Sequence, residues 1–267
     1  MGEEPPITGD GGSGTVFVTG CNLGCAFCQN YQVSQKGMGR TVSAAEFAEI
    51  CLALQEKGAE NINIVTGSHA APALVCGIEA ARKKGLSIPV LWNSSGYDGI
   101  ETLEILKDFV DIYLPDLKTL DSKIAAMFFG AADYPEHATA AILKMMENSN
   151  NRVIIRHLII PGYLDNTQQV LRWFADNCQG RCQLSLMTQY TPVHAQSSDT
   201  SASPDRAIPN SFLSEDEYDK VISMLDEFGI DNGFCQELIT GSDWLPDFNR
   251  ANPFSSDLSE PVWYWRD

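Results

Sequence analysis

Short β-branched runs alternate with amphipathic stretches along most of the chain, and this alternation sets the expected elements. Residues 15–18 (TVFV), 61–65 (NINIV), 88–92 (IPVLW), 110–114 (VDIYL), 152–160 (RVIIRHLII) and 183–187 (QLSLM) read as six strands. Between and after them, apolar residues at helical spacing predict helices over about 44–57, 72–84, 100–107, 122–129, 135–147, 167–177 and 215–228. Ser43 with Glu46 and Ser214 with Glu217 are capping boxes that open two of these helices, and Gly58 and Gly85 stop two. Six strand-then-helix units imply parallel strands joined by right-handed crossovers. Such a chain forms an open sheet or a barrel, and in both the active site lies at the carboxyl ends of the strands.

Two regions break the pattern. Residues 191–210 are rich in Ser, Asp, Pro and Ala and read as a long loop, either a lid or a merely mobile connection. From residue 233 onward no helical period is visible, and Trp244, Phe248, Phe254, Trp263 and Trp265 are expected to pack across the domain. The expected division is a core over 1–232 and a C-terminal extension over 233–267 packed on it.

The chain has 267 residues, 44% of them hydrophobic and 20% charged, so it can bury a large core. It has no apolar run long enough to span a bilayer, and its first 20 residues lack a secretory signal, so a cytoplasmic protein with no membrane partner is expected. A formal net charge of −17 argues against sequence-independent nucleic-acid binding, which needs Lys and Arg on phosphates. That acidity serves either solubility or attraction to a basic partner. Eight cysteines in such a chain point to reduced thiols or metal sites rather than a disulfide framework.

Three of the eight form Cys21-x3-Cys25-x2-Cys28 directly after the first strand. Three thiolates in one tight loop can ligate three irons of a cubane and leave the fourth open to a substrate. Gly20 and Gly24 give the backbone the freedom to wrap a cluster. A zinc site would need a fourth Cys or His at matching spacing, and His69 does not supply it. Cys51 and Cys76 fall on helices and read as core residues. Cys178 and Cys182 are spaced like a ligand pair, but they straddle a glycine turn with only Cys235 left as a third, so a second cluster is not expected.

A C-x3-C-x2-C loop after the first of repeated β/α units resembles the radical SAM superfamily. The stretches Glu3-Glu4-Pro5-Pro6-Ile7, Gly12-Ser13-Gly14-Thr15-Val16-Phe17, Gly20-Cys21-Asn22-Leu23 and Phe27-Cys28-Gln29-Asn30 resemble one branch of it, the uncharacterised members related to pyruvate formate-lyase-activating enzyme. The likeness continues through Asn93-Ser94-Ser95-Gly96-Tyr97-Asp98, Asp111–Lys118 (DIYLPDLK) and Arg156-His157-Leu158. It implies an α/β fold, a partial (β/α)6 TIM-like barrel of parallel strands with a C-terminal extension. It also implies a [4Fe-4S] cluster on Cys21, Cys25 and Cys28, with S-adenosylmethionine (SAM) as the second cofactor.

The residues after the other strands are then candidate SAM contacts. Members often hold the SAM amino group with a Gly-Gly-Glu-type segment after the second strand; this chain has Thr66-Gly67-Ser68-His69, so Thr66 and Ser68 are expected to substitute. His69 has no assigned role beyond a loop histidine. Asn93 and Ser95 suit ribose hydroxyls or a carboxylate, or the turn they sit in. Lys118 and Arg156 suit the SAM carboxylate with Asp116 as their partner, or form a structural ion pair at the rim. Gln189 is expected near the adenine, and Phe27 is grouped with the cofactor-binding residues on the same resemblance.

The implied chemistry is reductive cleavage of SAM to methionine and a 5′-deoxyadenosyl radical that takes hydrogen from a protein or peptide, glycyl-radical enzymes being one class. A flavodoxin or ferredoxin is the implied reducing partner. A radical SAM enzyme for a small molecule or peptide natural product, and a non-catalytic cluster protein serving as electron carrier or sensor, stay open as alternatives.

Overall fold

The fold is seen in a computed structural model, which describes residues 4–150, 152–193, 208–238, 240–242, 244–255 and 259–266. Most of the expected 191–210 loop therefore lies outside the described residues. Strands β1 (Gly14–Phe17), β2 (Ile62–Val65), β3 (Val90–Ser94) and β4 (Ile112–Pro115) pair in chain order, all parallel. Strands β5 (Ile154–Leu158), β6 (Gln183–Met187) and β7 (Gly233–Cys235) do the same. Bridges from Tyr113 to Val153 and from Asp116 to Arg156 join β4 to β5. One curved wall results, with β1 and β7 at its two ends and no strand pairing between them among the described residues: a partial barrel, as expected. The seventh strand was not foreseen, because Gly233-Phe234-Cys235 is too short to show a period.

The helices are α1 (Pro5–Thr8), α2 (Tyr31–Ser34), α3 (Ala44–Glu56), α4 (Ala71–Lys83), α5 (Ile100–Leu106), α6 (Ser122–Ile124), α7 (Tyr134–Asn148), α8 (Leu164–Asn177) and α9 (Glu215–Phe228). Both capping boxes form: Ser43 and Ser214 each accept the N–H three residues on while Glu46 and Glu217 bond back. The expected helix at 122–129 divides into α6 and a wider π turn over Ala125–Phe129, which ends at Gly130 in the left-handed region. The phase of the strands sorts their side chains to opposite faces. Ile62, Ile64, Val90, Trp92, Tyr113 and Ile155 point outward into the main core beneath the helices. Leu91, Leu114 and Ile154 point inward and form a small second core with Ile7 of α1. The side chain of Asn61 donates to the carbonyl of Ile7 at 2.6 Å, which ties α1 under the barrel.

The chain beyond β7 crosses the open seam. On one side Thr188 donates to the carbonyl of Glu237 at 2.7 Å and Thr191 to that of Gly241 at 3.1 Å. On the other, Gln32 of α2 accepts from the N–H of Phe248 at 2.7 Å and donates to Asp247 at 3.2 Å. The rings of Phe248 and Phe254 pack against Phe17 at the end of β1, and Arg40 lies over Trp263.

Candidate active site

The cysteine loop leaves β1 and is pinned from four directions. Gly20 has φ +93°, and its N–H reaches the carbonyl of Val33. A Cβ there would sit 3.0 Å from the His69 ring, whose Nε2 contacts the carbonyl of Thr19 at 2.8 Å. His69 is thus exposed yet engaged, holding the turn that leads into Cys21. The N–H groups of Gly24 and Ala26 donate to the carbonyls of Phe129 and Phe128 in the π turn. Gln35 donates to the carbonyl of Cys25 at 2.9 Å, and Gln29 to that of Gln189 at 3.0 Å. Phe27 is buried edge-on against Phe128, Phe129 and Tyr190, so its ring works as the loop's wedge into the core.

All three loop cysteines carry free, half-buried thiols. Burial pushes the Cys21 thiol up, while the Leu23 N–H, 3.4 Å from the sulfur, pulls the other way. Burial pushes Cys25 up to about 12, against the pull of the nearby Lys118 ammonium. The Cys28 sulfur contacts the Ser34 hydroxyl at 3.2 Å. Among the described residues no three His, Cys, Asp or Glu side chains converge for a single metal ion. A cubane asks for something else, one thiolate at each of three corners, and soft sulfur donors with N–H and O–H groups on the sulfurs fit it.

Beside the loop, the inward face of the strand ends is charged. The Lys118 ammonium lies 2.5 Å from Asp116. Burial alone would lower its pKa, but the carboxylate of Asp116 and the neighbouring Cys25 raise it, so Lys118 stays a cation. Arg156 donates to Asn93 Oδ1 at 3.2 Å and to the Met187 sulfur at 3.1 Å, and its Nε lies 4.0 Å from Asp116. The structure thus brings together Asn93, Asp116, Lys118 and Arg156, named from sequence.

The others are placed differently. The Ser68 hydroxyl bonds Asp98, a buried carboxylate that also accepts from Ser94 at 2.5 Å and Trp92 at 3.3 Å. Burial raises the Asp98 pKa and these three donors lower it, burial prevailing. Ser95 turns its hydroxyl to the N–H of Tyr97, and its carbonyl accepts from Tyr134. Gln189 meets the loop through its backbone carbonyl. Thr66 adopts φ +64°, a rare conformation for a β-branched residue, and its N–H bonds the Asn93 carbonyl at 2.9 Å.

Asp98 and Tyr134 were missed by residue type. Tyr134 donates to the carbonyls of Ser95 and Asp116 and accepts from the Lys118 N–H. Its burial raises its pKa, so it stays a phenol. Gly96 was the available signal: its φ is +76°, and a Cβ would collide with the Asp116 carbonyl, so two strand ends touch there. Cys76 corrects an expectation. It lies on α4 as foreseen but faces solvent, whereas Cys51 on α3 is buried.

The sequence profile of the radical SAM superfamily matches residues 15–174. The chain belongs to that superfamily, which uses a [4Fe-4S] cluster and SAM. It is 28% identical over 239 residues to an uncharacterized protein of Methanocaldococcus jannaschii, covering 86% of this chain and 66% of that one. It is 25% identical over 169 residues to the pyruvate formate-lyase-activating enzyme of Clostridium pasteurianum, covering 61% and 68%. The fold resembles SuiB of Streptococcus suis bound to S-adenosylmethionine, with a TM-score of 0.61, 15% identity, 84% of this chain and 51% of that chain. SuiB is also solved with its precursor peptide SuiA. This chain thus spans just under two thirds of the M. jannaschii relative and about half of SuiB. Among the described residues no helix is long and apolar enough to cross a membrane.

Proposed function

We propose that this chain is a radical SAM enzyme whose Cys21, Cys25 and Cys28 hold the cluster and whose substrate is a protein or peptide. The observation that carries the reading is the placement of three free thiols on one braced loop beside an inward-facing Lys118–Asp116–Arg156 group. A cluster held by Cys21, Cys25 and Cys28 would supply the electron, drawn from a flavodoxin- or ferredoxin-type donor, for reductive cleavage of SAM to methionine and a 5′-deoxyadenosyl radical.

The residues of this chain bind, orient and enclose. Lys118, kept cationic by Asp116, and the terminal nitrogens of Arg156 offer donors to the SAM carboxylate. Thr66 and Asn93, tied together at adjacent strand ends, face the ribose and amino group. Phe27 and the Gln29–Gln189 bond seat the loop against the adenine side. The tail over the β1–β7 seam, with Phe248 and Phe254 on Phe17, forms a C-terminal extension on the core that keeps solvent from a reactive radical. A protein or peptide substrate is supported by the name of the C. pasteurianum relative and by the SuiB peptide complex. Glycyl-radical activation is one form of that activity.

The test is anaerobic reduction of the reconstituted protein with SAM. Formation of 5′-deoxyadenosine and methionine is expected. An intact, reducible cluster that yields neither would mark the chain as an electron carrier or sensor and sink the proposal.

A further inference from the structure

Glu4 is a carboxylate in the wrong place for a surface tail. It is 4% exposed, directly ahead of α1, whose Ile7 fills the inward core with Leu91, Leu114 and Ile154. Its Oε1 lies 3.4 Å from Arg156 Nε, and neither atom has a hydrogen-bonded partner among the described residues. Buried charges persist where they are paired. This pairing is uneven along the guanidinium. The Nε edge faces two carboxylates, Glu4 and Asp116, whereas among the described residues the terminal nitrogens meet neutral acceptors, the Asn93 amide oxygen and the Met187 thioether.

An incoming carboxylate would displace neutral acceptors more readily than carboxylates, because it adds an opposite charge that the amide and the thioether lack. The two protein carboxylates therefore decide which side of Arg156 is offered. They also leave the group of Glu4, Asp116, Lys118 and Arg156 formally neutral, so the site carries no excess charge before a ligand arrives.

We infer that Glu4 is a positioning residue for SAM: it holds Arg156 by the Nε edge and so presents the terminal nitrogens to the SAM carboxylate. This rests on the reading that Arg156 contacts SAM. The segment ahead of β1 is thus part of the cofactor site, although it lies on the opposite side of the first strand from the cysteine loop.

The test compares Glu4→Gln, Glu4→Asp, Ile7→Ala, Asp10→Asn and Arg156→Gln in reconstituted protein. It measures SAM dissociation constants and the change SAM causes in the paramagnetic spectrum of the reduced cluster. A second readout is solvent exchange of the Arg156 Nε–H in metal-free, ¹⁵N-arginine-labelled protein. Glu4→Gln is expected to weaken SAM about tenfold, the scale of losing one ion-pair contact at a part-buried site, and to speed Nε–H exchange by loosening the buried Nε edge, with cluster content unchanged. Glu4→Asp restores part of both, and it carries the test should Glu4→Gln fail to fold. Exposed Asp10 controls for a lost charge on the same segment, and Asp10→Asn changes neither. Ile7→Ala unseats α1 without touching charge. If it weakens SAM as much as Glu4→Gln at equal loss of thermal stability, Glu4 only anchors the segment and the inference fails. Wild-type SAM binding in Glu4→Gln while Arg156→Gln binds weakly overturns the role of Glu4 alone. Normal binding in Arg156→Gln overturns the assignment of Arg156 to SAM, and the inference with it.

Discussion

Two sets of cysteines in this chain have ligand-like spacing and opposite surroundings. Cys21, Cys25 and Cys28 sit half-exposed on a loop at the carboxyl end of β1, beside a lysine and a serine. Cys178 and Cys182 have the same spacing as Cys21 and Cys25, but they flank the turn from α8 to β6 and lie inside the wall. There Cys182 bonds the Cys178 carbonyl, and the Cys178 sulfur lies 3.9 Å from that of Met146. The hydrogen bond between the two thiols, with burial, drives the Cys178 pKa well above its usual range. Burial raises Cys25 as well, so what separates the two sets is access: the loop thiols lie partly exposed, whereas Cys178 and Cys182 are enclosed by packed core side chains. Spacing nominates ligands, then, but position on the wall decides whether they can serve.

The sharpest way to break this contrast is Cys25→Ala. Cluster absorbance is expected to be lost and 5′-deoxyadenosine formation to fall below about a thousandth of wild type; survival of either, by spectroscopy or product analysis, contradicts the assignment. Next in size is an effect of the buried wall alone. His157 is fully buried, with Nδ1 at 2.7 Å from the Leu117 carbonyl and Nε2 at 3.0 Å from the Thr167 hydroxyl, and burial lowers its pKa to about 4. A folded pKa below the unfolded value of about 6.5 means that the unfolded chain takes up the proton first as pH falls. Stability is therefore full above about pH 6.5 and declines by about 3 kcal/mol by pH 4 from this residue. Denaturant melts across that range should show the decline, and His157→Gln should flatten it.

Cys178→Ser puts a hydroxyl among apolar neighbours and should cost about 1–3 kcal/mol in a denaturant melt while iron content stays at wild type. Loss of iron would place this pair with the loop thiols. The smallest effect belongs to exposed Cys76. Cys76→Ser should shift stability by less than about 0.5 kcal/mol and leave SAM cleavage intact.

Much of this fold is legible in the order of residues alone. The six strands emerge within a few residues of their observed ends, since alternating and β-branched runs are local signals; β6 matches at both ends. The capping boxes at Ser43 and Ser214 do as well, because a cap involves only residues three apart. The seventh strand, β7, and helix α1 are invisible there. Each is too short to show a period, and each is held by distant residues: β7 by its pairing with β6, α1 by the seat of Ile7 among Leu91, Leu114 and Ile154.

The cysteine motif and the charged residues after strand four and within strand five are likewise readable, because a C-x3-C-x2-C loop, an Asp-x-Lys step after an apolar strand and an arginine inside one are patterns in one dimension. What the sequence by itself determined was therefore the repeated β/α plan, the three thiols and their placement after the first strand. The tertiary structure decided the rest. Among the described residues it paired no strand between β1 and β7 but laid the tail across them. It turned Ser68 toward Asp98, buried Phe27 as a wedge, exposed Cys76, and brought Glu4 against Arg156 across 152 positions of chain. The reason is physical. Local propensity and spacing act over a few residues, whereas burial, charge pairing and the direction a side chain faces depend on which distant strand the fold sets beside it.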